Sequence, residues 1–80
     1  MNGYINKIMN KVSEELDDAM EYANLSHEAK EMGVHCDAQM LHDMAKEEYT
    51  HAKHIEQMLK KSGMTYPDIH DKIKKLNEIL

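Results

Sequence analysis

The sequence predicts an all-α fold: one long antiparallel helical hairpin followed by a short C-terminal helix. Three observations lead there. Ala, Leu, Met, Glu and Lys are plentiful, whereas Trp and Phe are absent and there are only three Gly and one Pro, a balance that favours helix over strand. Two long segments carry inward residues at alternating steps of three and four, which is the period of one helical face. Gly33 and Gly63 interrupt that period at the places where helices of this length need to end. Eighty residues make one small domain with little stability to spare. We divide it into a hairpin over 1–63 and a loop with the C-terminal helix over 64–80.

The first helix is expected from about Tyr4 to Met32, with the stripe Ile5, Ile8, Val12, Glu15, Ala19, Tyr22, Ser26 and Ala29 facing inward. A connection over about Gly33 to Cys36 leads to Asp37, read as the N-cap of the second helix. That helix runs to about Ser62 with the stripe Leu41, Met44, Glu48, His51, Ile55 and Met58. Lys60 and Lys61 complement the dipole in its last turn. Met64 to Tyr66 form a loop, and Pro67 enters the first turn of a third helix with its own stripe at Ile69, Ile73, Leu76 and Leu80. The eight Met residues mostly fall at core positions and fill gaps there.

Polar residues break the two long stripes in the same place. Glu15 interrupts the first, and Glu48 and His51 interrupt the second. In an antiparallel hairpin, residues equidistant from the turn lie at one height. Glu15 precedes Gly33 by 18 residues, and Glu48 and His51 follow it by 15 and 18, so all three converge near the middle of the hairpin. Carboxylates in a helix seam cost several kcal/mol unless they are paired, protonated or bound to a metal.

Glu-x-x-His at i and i+3 aims a carboxylate and an imidazole at one point, and Glu15 supplies a third ligand from the facing helix. Hard oxygen donors with one nitrogen suit iron or manganese, with zinc a competent substitute. Three ligands are half a site. Two hairpins related by a two-fold axis would bring four Glu and two His together in a four-helix bundle, the set used by di-iron carboxylate bundles.

These residues carry a family resemblance. Glu15 with Tyr22 seven residues later, then Glu48-x-x-His51 thirty-three residues after Glu15, resembles the ferritin-like superfamily and within it the rubrerythrin and bacterioferritin branch. The stretch Glu47-Glu48-Tyr49-Thr50-His51-Ala52-Lys53 is similar to the second-helix motif of those proteins, and the likeness covers about residues 12–60. Rubrerythrins and bacterioferritins hold two hairpins per chain, and this chain holds one. Its plan is closer to the encapsulated ferritins, single-hairpin chains that build a di-iron site across a subunit interface. The resemblance implies a ferritin-like four-helix bundle formed by dimerisation, with Glu15, Glu48 and His51 as iron ligands and Tyr22 hydrogen bonding beside them. It also implies ferroxidase or peroxidase chemistry. Encapsulated ferritins usually carry a C-terminal peptide that targets an encapsulin shell, and none is recognised here.

Asp18, Glu47 and His54 flank the seam and are read either as surface residues or as an uptake route that hands metal inward. His35, Cys36 and His42 near the turn could bind zinc or copper, but they lack a fourth spaced ligand. The net charge of −5 disfavours nucleic acid as a partner. No apolar run reaches the length of a membrane span, and no secretory pattern opens the chain, so a cytoplasmic location is the expectation, while the half site makes a homo-oligomer, at least a dimer, the expected assembly. Cys36 is alone and implies no oxidising compartment. The rival to the redox reading is a non-catalytic helical module that binds metal or only mediates assembly.

Overall fold

In a computed structural model, residues 2–80 are described. The expected start of the hairpin at residue 1 lies outside them. Helices α1 (Asn2–Glu31), α2 (His35–Lys61) and α3 (Pro67–Ile79) follow one another, and the described residues are all-helical apart from short turns. The contacts are dominated by α1 against α2, with α3 laid against both.

The two helix ends are built alike. After α1 the Gly33 amide donates to the Lys30 carbonyl (3.1 Å) and the Val34 amide to the Ala29 carbonyl (2.9 Å). After α2 the Gly63 amide donates to Lys60 (3.0 Å) and the Met64 amide to Leu59 (3.2 Å). Both are Schellman closures, which need a left-handed residue at their pivot, and Gly33 and Gly63 have φ of +79° and +81°. Closure at Gly33 leads directly into α2, whose N-cap is Val34. Asp37 is therefore not the N-cap. It lies in the first turn, where its charge still complements the helix dipole. Ser26 Oγ donates to the Ala38 carbonyl at 2.7 Å, tying the two helices together beside the turn.

On α1 every residue of the expected stripe is at least half-buried, and Val12, Glu15 and Ala19 are buried. On α2 the stripe is displaced. The buried positions are Ala38, Ala45, Ala52 and Leu59, one every seven residues, which keeps them on a single slowly drifting line. Met44 and Met58 of the expected stripe are 38% and 50% exposed. The physical reason is size. Alanines occupy the seam, while Met44, His51 and Met58 are turned out onto one flank and Leu41, Glu48 and Ile55 stay half-buried at its edge, Ile55 against the core.

The other flank is taken by α3. Ile73 and Leu76 are buried with Val12, Leu16, Ala19, Ala52 and Leu59, and Met20, Tyr49, Tyr66 and Ile69 pack around them. A 3.2 Å contact between His70 Nδ1 and Glu56 Oε2 fastens α3 to α2. Leu16 lies about 100° around α1 from Glu15, and Glu56 about 80° around α2 from Glu48. The third helix thus covers one side of the hairpin and leaves Glu15, Glu48 and His51 on the opposite one.

Candidate metal centre

Glu15 is held by the middle of α1 and is 9% exposed. Glu48 and His51 project from one face of α2, a single turn apart. The structure brings all three together: a ligand atom of each lies within 4.8 Å of the others, and among the described residues no other His, Cys, Asp and Glu group does this. His51 Nδ1 stands 3.6 Å from Glu15 Oε2 and 3.5 Å from Glu48 Oε1. These separations are too long for good hydrogen bonds. They are close to the roughly 3.0–3.4 Å that separates neighbouring ligand atoms each about 2.1 Å from one ion.

The electrostatics of the cluster are frustrated. As ionised carboxylates, Glu15 and Glu48 cannot donate to one another, and Glu15 Oε2 is buried with no hydrogen-bond partner. A proton relieves this. Sharing one with Glu15, partly buried and facing its charge, Glu48 is pushed up from the ordinary 4.5 to about 7, against the pull of His51. The same shared proton holds Glu15 below the ordinary carboxylate range, assisted by His51 and Lys11 and opposed by burial. A divalent cation would relieve the cluster more completely, because it satisfies both oxygens and the imidazole nitrogen at once. The donor set therefore fits iron, manganese or zinc.

Lys11 was not foreseen. Its Nζ lies 3.8 Å from Glu15 Oε1 and 3.9 Å from Glu14 Oε2. The signal was present in the sequence, since Lys11 and Glu15 are an i, i+4 pair on a helix. Asp18, expected beside the seam, is exposed but close enough for its charge to help raise Glu48. Glu47 and His54 are exposed and stand outside the three-residue cluster. Tyr22 is half-buried two turns along α1 from Glu15, about 10 Å of helix rise. Its hydroxyl does not satisfy Glu15 Oε2. His51 keeps 55% of its side chain exposed, so the cluster is walled by α1 and α2 and open on its flank.

Cys36 is free and exposed, and His35, Cys36 and His42 do not bring three ligand atoms to a point. No helix among the described residues is long and apolar enough to cross a membrane.

The family model described as Rubrerythrin matches residues 7–79. The match spans all three helices and contains the whole cluster. No curated protein and no solved structure matches the chain. The chain belongs to the rubrerythrin family, a family of di-iron carboxylate proteins.

Proposed function

We propose that this member of the rubrerythrin family pairs with a second copy of itself across the open flank, forming a four-helix bundle. Each copy contributes Glu15, Glu48 and His51 to one shared di-iron centre, which carries out ferroxidase- or peroxidase-type oxidation. The observation that carries this reading is Glu15 Oε2, buried and without a partner, facing Glu48 and His51 at ligand spacing. A small domain does not retain such an atom for stability, since an unsatisfied buried carboxylate oxygen costs about 1–3 kcal/mol or more.

The open flank supports the pairing. Met44 and Met58 lie half-exposed above and below Glu48 and His51 on α2, and α3 does not cover them. A second hairpin laid there would bury both methionines and complete the ligand set. When bound, iron supplies one-electron redox chemistry and open positions for dioxygen or peroxide. The chain's own residues do the rest. Glu15 and Glu48 balance the cations and give up their shared proton on binding, and His51 contributes the nitrogen donor. Tyr22 lies on the same face of α1 as Glu15, two turns away, and its proposed role is a hydrogen bond near the centre in the assembled form. Asp18, Glu47 and His54 form an acidic and imidazole-bearing approach through which metal reaches the ligands. Manganese would be held by the same donors, and zinc would be held without redox activity.

The test couples metal to assembly. A metal that binds only the dimer favours it by RT ln(1 + [L]/Kd) per site. Sedimentation with and without chelator is expected to show a dimer with metal and weaker association without it. Oxygen consumption on addition of ferrous iron is expected only from the metal-competent dimer. A 9.3 kDa species that persists with metal bound overturns the shared centre. A stable dimer that takes up no metal identifies an assembly module instead.

A further inference from the structure

We propose that a second site, at the turn end of the hairpin and remote from the carboxylates, binds a phosphoryl group. A surface groove of about 400 Å3, open to solvent on one side, lies there between α1, α2 and the end of α3, with His27, Lys30 and His35 exposed along it. Four basic side chains line it: His27 and Lys30 from α1, His35 and His42 from α2. The chain carries 15 acidic residues and a net charge of −5, yet no Asp or Glu belongs to this lining. Among the described residues, none of the four basic side chains makes an ion pair or a side-chain hydrogen bond. Among the described residues only Lys11 and Lys60 of the lysines stand beside carboxylates, so what distinguishes this site is the gathering of four bases in one lining.

Their arrangement selects the ligand class. Three imidazoles that converged on a point would suit a transition metal, but their nitrogens do not come together at ligand spacing. Donors spread around a groove suit a polyatomic anion that accepts hydrogen bonds in several directions at once. Lys30 supplies a fixed positive charge and the imidazoles supply N–H donors whether neutral or protonated. The groove is several times larger than a phosphate group, and Ile79 at the end of α3 and the following Leu80 border one side of it. That wall leaves room for a small organic body attached to the phosphoryl group. The chemistry recognised is the dianionic phosphoryl oxygens, borne by free phosphate or by a phosphate monoester. The site rests on groove and charge, and it stands whether or not the metal centre turns over.

Titration of the metal-free full chain at low ionic strength with inorganic phosphate, and separately with phenyl phosphate, followed by histidine ring NMR, tests it. Saturable shifts are expected at His27, His35 and His42, with none at His54 or His70. Lys30→Ala is expected to weaken binding by about fivefold or more, with Lys60→Ala unchanged and both variants retaining the helical circular dichroism of the parent. Tighter binding of phenyl phosphate identifies a monoester as the ligand, and equal binding identifies the free anion. The proposal is overturned if neither probe saturates by about 10 mM, if the shifts centre on His51, or if Lys30→Ala binds as the parent does.

Discussion

The two flanks of one hairpin are made from the same pair of helices and do opposite things. On the flank covered by α3, Leu16, Leu59, Ile73 and Leu76 are buried against one another, and Glu56 there is paired with His70 and Lys60. On the other flank, Glu15 is buried with an unsatisfied oxygen and Glu48 resists ionisation up to about pH 7. The first flank stabilises the fold and the second draws on that stability. A helix turns about 100° per residue, so neighbours such as Glu15 and Leu16 fall on different sides of the seam. One residue step separates the part of the molecule that holds it together from the part that can bind metal.

The contrast predicts that substitutions of similar size will act with opposite signs. Leu59→Ala and Leu76→Ala remove side chains that are 1% exposed, and each is expected to cost about 2–5 kcal/mol in urea unfolding of the metal-free chain. A loss below about 1 kcal/mol would mean that α3 contributes little to the core. On the open flank, Glu48→Ala and His51→Ala are expected to leave the metal-free melting temperature unchanged or raised. Both should weaken ferrous iron binding by about 100-fold or more, since losing a ligand exceeds the 10–100-fold effect of losing its supporting hydrogen bond. Titration calorimetry beside a thermal melt checks both halves. Unchanged iron affinity in both variants would remove these residues from the ligand set.

The next effect separates the flanks by pH. Between about 4.5 and about 7 the folded chain keeps the Glu48 proton that the unfolded chain has lost. Stability therefore falls as pH rises through this window, and the whole penalty is present above it. Glu15 acts in reverse. Its lowered value contributes stability above about 4.5 that is lost as pH falls through the folded-state value. The metal-free chain is thus expected to be more stable near pH 5 than near pH 8 by about 2 kcal/mol, after discounting for partial solvent screening. Glu48→Gln should flatten the decline. Bound zinc should invert it, because its ligands must be deprotonated. Urea midpoints of the parent and Glu48→Gln across this range give the answer, and parallel profiles would mean that Glu48 does not titrate as described.

Much of this was legible in the sequence, for identifiable reasons. Gly33 and Gly63 marked the helix ends because only glycine adopts positive φ without strain. The level at which Glu15, Glu48 and His51 meet followed from counting outward from the turn, since rise per residue is the same in both helices. The rotation of α2 was not legible. A heptad of Ala38, Ala45 and Ala52 is nearly silent in a hydrophobic pattern, so the more apolar line through Leu41, Met44 and Ile55 reads as the seam. Asp37 has the chemistry of an N-cap, but the Gly33 closure brings the chain into helix at His35 first. The basic groove could not be read either, because it depends on where the end of α3 comes to rest.

The smallest effect probes how the metal-free centre balances its charge. Lys11 is the only lysine within ion-pair distance of the cluster among the described residues, 3.8 Å from Glu15 Oε1. With 59% of its side chain exposed, its contribution to stability is screened, and pairs of this kind are worth about 0–1 kcal/mol. Its sign is nevertheless fixed. A positive charge beside Glu15 favours the ionised carboxylate when no metal is bound and repels a divalent cation approaching the same oxygens. Lys11→Met keeps the aliphatic stem and removes only the charge. The metal-free variant is expected to be slightly less stable near pH 7, while its affinity for zinc or ferrous iron rises by about 2- to 10-fold. The gain should shrink in high salt, as expected for a partly exposed charge. Lys60→Met offers the matching change on the covered flank, where the charge faces Glu56, and it should leave metal affinity untouched. If Lys11→Met instead weakens metal binding, Lys11 orients Glu15 rather than competing with the cation, and the open flank is preorganised by an ion pair.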